Sequence, residues 1–163
     1  AHCPSSNMRL GSGLAPILDM LDAGVRVGLA VDGSASNESG HMMGEARQAM
    51  LLQRVKGCAA ALGAEETLRS ATRGGAAVLG RDDIGALSPG MAAGFIGVRL
   101  DGVSFAGAQT DPLAALLFCS PPTVDLSVIN GRVVVQDREL VGLDLESTVA
   151  RHNQLAMELL GRV

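Results

Sequence analysis

Aromatic side chains are nearly absent from this chain of 163 residues: they make up 2% of it, with no Trp and no Tyr. Their lack removes the platforms on which proteins stack bases and sugars. Lysine is almost as scarce. Lys56 is the only one, and the 13 basic residues against 17 acidic ones leave a formal net charge of −4. That balance argues against nucleic acid or an anionic membrane surface as the main partner. No apolar run approaches the roughly 20 residues of a membrane span, and no secretory signal is legible. Cysteine is limited to Cys3, Cys58 and Cys119. Three widely spaced thiols are neither a disulfide framework nor a zinc ribbon, and they suit a reducing cytoplasm.

What is present is a globular composition, 47% hydrophobic and 18% charged, in a chain long enough to bury a substantial core. It opens with Ala1-His2-Cys3-Pro4, which reads as the inside of an element, so a piece of a longer protein is expected. Residues 1–13 are rich in Ser, Gly, Asn and Pro, which predicts a loop. Leu14, Ile17, Leu18 and Leu21 follow at i, i+3, i+4 and i+7, predicting a helix over 14–23. Ser12 is placed to cap it, Pro16 in its first turn and Gly24 at its end. Val25 to Val31 then reads as a buried strand ending in Asp32. Val25, Val27, Leu29 and Val31 share one face, suited to a layer of helices. Arg26, Gly28, Ala30 and Asp32 share the other, suited to a crowded barrel interior with a polar mouth. Asp before Gly also serves simply as a turn former.

Helices are predicted over 43–55 and 64–79, the second containing Gly74-Gly75 for a close crossing. From Asp83 the chain changes to short apolar pieces punctuated by Gly, which suits strands and turns. A helical turn or two is expected at 111–119, stopped by Pro121-Pro122. Asn130-Gly131 predicts a hairpin, and a last helix starts near Asp144. No repeat and no low-complexity tract interrupts this order. The expected organisation is therefore 1–82, 83–142 with its helical insert, and 143–163 as a terminal helix.

Ala-His-Cys-Pro-Ser-Ser-Asn-Met-Arg-Leu-Gly-Ser-Gly (1–13) and Val-Gly-Leu-Ala-Val-Asp-Gly-Ser-Ala-Ser-Asn (27–37) together resemble the C-terminal part of the metal-dependent amidohydrolases. The branch is that of 8-oxoguanine deaminase and the triazine hydrolases. Ala71-Thr72 to Leu79-Gly80, Ile84-Gly85 to Pro89-Gly90 and Val128 to Val134 resemble the family's later signposts. The resemblance implies an α/β fold: the last two strands and helices of a (β/α)8 barrel, plus part of a small β-sandwich. It implies that Asp32 is both a metal ligand and the group that takes a proton from the attacking water. It also implies one divalent metal, zinc first and iron second, whose other ligands lie outside this segment. The family's His-x-His pair and its fifth- and sixth-strand histidines have no counterpart here. Met91 and Gly94 stand where the family carries Lys and Asp. The cytidine-deaminase signature, His-x-Glu with Pro-Cys-x-x-Cys, is absent, which sets that unrelated class aside.

The same resemblance places His2, Asn7, Arg9 and Leu10 towards a small heterocyclic substrate, with Ser34 and Asn37 opposite. His2 also reads as a hydrogen-bonded histidine of a crowded loop, and the Asn and Ser residues as turn formers. His41 suits a substrate contact or a helix start equally, His152 a structural place on an apolar helix face, and Cys3 a buried filler. Three functions compete. The first is a hydrolytic deaminase of an oxidised purine, the second a hydrolase of an s-triazine or amidine ring, and the third a non-catalytic interaction module. For an enzyme, the expected partners are the remaining N-terminal part of the same protein and further copies of itself, in the cytoplasm.

Overall fold

The computed structural model describes residues 1–119 and 122–161. It is an α/β arrangement in which a helical layer covers one extended segment and a small antiparallel sheet follows. The helices are α1 (Pro4–Arg9), α2 (Ile17–Asp22), α3 (Met42–Lys56), α4 (Ala64–Arg69), α5 (Gly75–Val78), α6 (Pro112–Phe118) and α7 (Leu145–Leu160). A π turn, Ser70–Gly74, joins α4 to α5 without a break. The strands are β1 (Phe95–Gly97), β2 (Leu126–Ile129), β3 (Arg132–Gln136) and β4 (Glu139–Leu140), hydrogen-bonded in that order.

Three helices start on a side-chain cap. His41 Nδ1 accepts the Gly44 amide at 3.1 Å, which fixes His41 as the helix-start residue of α3. Asp111 and Asp144 do the same for α6 and α7, accepting from Ala114 N and Ser147 N. Such caps satisfy donors that the first turn leaves orphaned. On α3, Ala46, Ala49, Met50 and Gln53 are buried at helical spacing. They close on Leu29 and on Leu117 of α6 to make the main core, with Leu68 and Ala71 packed at its margin. Burial of a side chain such as Met50 or Leu117 contributes about 1.5–3 kcal/mol. Two arginines of α3 hold α6 in place. Arg47 Nη1 donates to the Leu117 and Phe118 carbonyls, each at 2.6 Å, and Arg54 lies 5.0 Å over the Phe118 ring.

Several sequence expectations are corrected. Residues 1–13 are not all loop. Pro4 presets the first turn of α1, and a glutamate of α3 takes the Ser5 amide, so tertiary contact overrides a loop-like composition. The second helix begins at Ile17 with Pro16 as its cap residue, and Ser12 does not cap it. Gly24 does end it, at φ 75°. The 25–31 segment is extended but carries a single parallel bridge, between His2 and Leu29, because residue 2 is the one neighbour among the described residues that pairs with it. His2 N donates to Gly28 O at 2.8 Å and Ala30 N to His2 O at 2.9 Å.

The face assignment of that segment is also corrected. Arg26 Nη1 reaches Ala77 O at 3.5 Å, and a Cβ on Gly28 would lie 2.8 Å from Gly75 Cα. The small-residue face therefore meets α5 at Gly28, while Leu29 of the other face packs against α3 and α6. Gly74 does serve a close crossing against main chain, where a Cβ would clash with Val27 O, whereas a Cβ on Gly75 would meet nothing within 4 Å. The π turn adds a rung, Leu29 N donating to Ser70 O at 3.3 Å.

In the sheet, the Asn130-Gly131 hairpin forms as expected, with φ of 49° and 79°, and a bulge shifts the register between Ser127 and Val128. α6 ends at Phe118 with Cys119 as its cap residue, and Pro121 lies outside the described residues. No side chain of α7 is buried among the described residues, so His152 is exposed and has no structural place on a covered face.

Asp125 ties the sheet to its flanking loops. Its carboxylate accepts from Arg99 N and from Arg138 Nε, both at 2.7 Å, and these bonds hold it below the ordinary value of 3.8. A carboxyl depressed in the folded state stabilises the fold above its unfolded pKa and loses that contribution as pH falls through its folded pKa. Asp125→Asn is therefore expected to lower the denaturant midpoint at neutral pH, and the gap to wild type to close from about pH 5 towards about pH 2. A gap that persists undiminished in acid would show that the bonds, not the charge, carry the effect.

Candidate active site

Asp32 stands where the extended segment ends, exposed, with φ 63°. A left-handed φ is uncommon outside Gly, and Asp is among the residues that tolerate it. Three donors surround its carboxylate. Ser6 Oγ donates to Oδ2 at 2.6 Å and Ser36 Oγ to the same oxygen at 3.0 Å. Gly33 N donates to Oδ1 at 2.8 Å. The Ser6 bond first, then those from Gly33 and Ser36, hold Asp32 below the ordinary carboxylate range. The loop beyond closes on itself, Ser36 N and Asn37 N both donating to Gly33 O.

Beneath it lies a second polar cluster. Glu45 is 1% exposed and Asn37 6%. Glu45 Oε2 accepts from Ser5 N and Oε1 from Asn37 Nδ2, each at 3.0 Å. Ser5 Oγ donates to Oε1 as well. Asn37 Nδ2 also donates to Val31 O at 2.8 Å.

The other sequence candidates are spread around this centre. His2 is buried, and neither of its ring nitrogens finds a partner among the described residues, so the hydrogen-bonded loop histidine is not what forms. Burial pushes its imidazole below the ordinary value, opposed by the Glu45 charge. His2 and Asn7 line a cavity of about 210 Å³ with Ala15, Ile17, Met20 and Val27, which Asp32 does not reach. Arg9 pairs with Glu38 at the surface. Leu10 and Ser34 are exposed. Burial first, then the Asp32 charge, raise the Cys3 thiol, so it stays protonated and suits the filler reading.

Sequence reasoning missed Ser6, Ser36 and Glu45. Glu45 was detectable, because 45, 49 and 53 fall at i, i+4 and i+8 on the buried stripe of α3, where a charge needs a reason. Ser6 carries no local signal.

Among the described residues, no three His, Cys, Asp or Glu side chains are grouped to hold a metal. A catalytic zinc takes about three protein ligands and a water. Asp32 fits as one of them: an exposed oxygen donor oriented by its own hydrogen bonds, as ligating carboxylates are.

Residues 1–134 match the amidohydrolase family model. The chain is 46% identical over 159 residues to 8-oxoguanine deaminase from Pseudomonas aeruginosa, covering 98% of this chain and 35% of that protein. It superposes at a TM-score of 0.88 on atrazine chlorohydrolase TrzN from Arthrobacter aurescens TC1 complexed with zinc, at 42% identity, covering 94% and 35%. It superposes at 0.92 on an adenosine deaminase from Xanthomonas campestris with bound zinc, at 34% identity, covering 98% and 37%. The chain thus spans about a third of the length of the relatives it matches. Asp32 and its surrounding donors lie inside the matched residues, and the chain belongs to the amidohydrolase family.

Proposed function

We propose that this chain forms the C-terminal third of a zinc-dependent hydrolytic deaminase acting on an oxidised purine of the 8-oxoguanine type. The observation that carries the reading is the Asp32 carboxylate, exposed at the end of the extended segment and held by Ser6, Gly33 and Ser36. Identity of 46% to an 8-oxoguanine deaminase over nearly the whole chain supports the substrate class. Zinc, when bound, lowers the pKa of a coordinated water towards neutrality. Oδ2 of Asp32 is fixed by two hydroxyls, which leaves Oδ1, bonded to one amide, to take the proton of the attacking water. The same carboxylate then delivers it to the departing amine. The metal's other protein ligands lie outside these residues. His2, Asn7, Arg9, Leu10, Ser34 and Asn37 border the substrate or support those that do. Zinc is preferred to iron on the zinc-complexed relatives. The cytoplasm and self-association complete the proposal, the former on the free cysteines.

A second reading, hydrolysis of a substituted s-triazine, is supported by the likeness to TrzN. The test is the complete protein loaded with zinc and given both substrates. Ammonia release from 8-oxoguanine is expected to exceed amine release from an alkylamino-s-triazine by about tenfold or more in kcat/KM. It should be lost on chelation and restored by zinc. The reverse order favours the triazine reading, and no turnover of either overturns the proposal.

A further inference from the structure

Glu45 is a buried carboxylate that makes no ion pair among the described residues. A charge in such a place is costly unless every oxygen is hydrogen-bonded, and a small apolar residue would continue the stripe of Ala46, Ala49 and Met50. Capping α1 through the Ser5 amide explains one of its bonds. The Asn37 bond is not explained that way.

We infer that Glu45 is the positioning residue for Asp32, acting through two arms that meet at the same carboxylate. One arm runs through α1: Glu45 holds Ser5 by its amide and hydroxyl, and the adjacent Ser6 donates to Asp32 Oδ2 at 2.6 Å. The other runs through the loop: Glu45 holds the Asn37 amide, which fixes the Val31 carbonyl directly ahead of Asp32. Between the arms, Asp32 sits at φ 63°, a backbone state that persists where its surroundings over-determine it. The inference rests on the functional reading above for its consequence in turnover, and on geometry alone for its consequence in the loop.

Glu45→Gln isolates the effect. A glutamine turns its NH2 towards either the Ser5 amide or the Asn37 amide, and both are donors, so one arm opens whichever way it lies. In the complete zinc-loaded enzyme, kcat is expected to fall about 10–100-fold, the usual cost of a lost supporting partner at a metal site, with KM within about threefold. In the metal-free protein, hydrogen exchange is expected to quicken across 31–37 or across 4–6, whichever arm opens, while α6 and the β2–β3 hairpin keep their rates. If Glu45→Gln does not fold, Asn37→Ser opens the loop arm alone and should quicken 31–37 without 4–6. Unchanged exchange at both 31–37 and 4–6, or exchange that rises uniformly through the chain, overturns the inference. So does an unchanged kcat in an active enzyme. A wild type inactive on both substrates refutes the functional reading instead, and the exchange experiment still decides this one.

Discussion

Asp32→Asn in the complete enzyme is expected to lower turnover about 10²–10⁴-fold, the range that a positioned proton acceptor contributes, while the fold is nearly unaffected. Both halves follow from the geometry. Asparagine keeps the shape of Asp and tolerates the left-handed φ of 63°. Its amide nitrogen can take the Oδ2 position, where Ser6 and Ser36 present hydroxyls that rotate from donor to acceptor. Its oxygen then keeps the Gly33 amide. Every local bond survives in some form, yet no group is left that takes a proton at neutral pH. Ammonia release and a urea midpoint, measured on the same preparation, separate the two effects. Unchanged turnover would eliminate the proton-acceptor role. A midpoint that collapses together with turnover would make Asp32 a structural residue.

A large loss of stability is expected at Gly28. A Cβ there would lie 2.8 Å from Gly75 Cα, 2.9 Å from Gly75 N and 3.1 Å from Gly74 C. All three are main-chain atoms, so no side chain can swing aside, and α5 must lift from the extended segment. Gly28→Ala is expected to cost roughly 1–3 kcal/mol, the range of overpacked cores, and Gly28→Val more. Gly33→Ala is the control, since a Cβ at Gly33 meets nothing within 4 Å. Equal denaturant midpoints for Gly28→Ala and Gly33→Ala would show that the crossing is looser than its distances imply.

The sequence made the helices legible where apolar spacing and a capping residue agreed. α3 and α7 begin within a residue of expectation, and the Asn130-Gly131 turn forms the β2–β3 hairpin. Asp32 could be singled out because a strand-like run ended on it and a family motif enclosed it. Less legible was that both faces of that run meet helices, Leu29 against α3 and α6 and Gly28 against α5. Alternation divides a strand into two faces but does not say which one a glycine pair will approach, and Gly74-Gly75 chose the face of Gly28. The donors around Asp32 were legible in part. Ser36 lies four residues away in the same turn, whereas Ser6 is brought in by the parallel pairing of His2 with Leu29. Contacts of that range are set by tertiary packing, and no local pattern announces them.

The rung from Leu29 to Ser70 bears on how this chain joins other polypeptide. Along an extended segment the amides point alternately to opposite edges. Gly28 and Ala30 use one edge for His2, and Leu29 points to the other, where the π turn presents the Ser70 carbonyl. That edge is blunted rather than vacant. A flat open edge recruits strands from neighbouring copies, and here a single helix-to-strand hydrogen bond stands guard. A further strand arriving on this side enters by exchange, displacing one 3.3 Å bond in return for a ladder. A strand pairing on this side would compete with the π turn for the Leu29 amide.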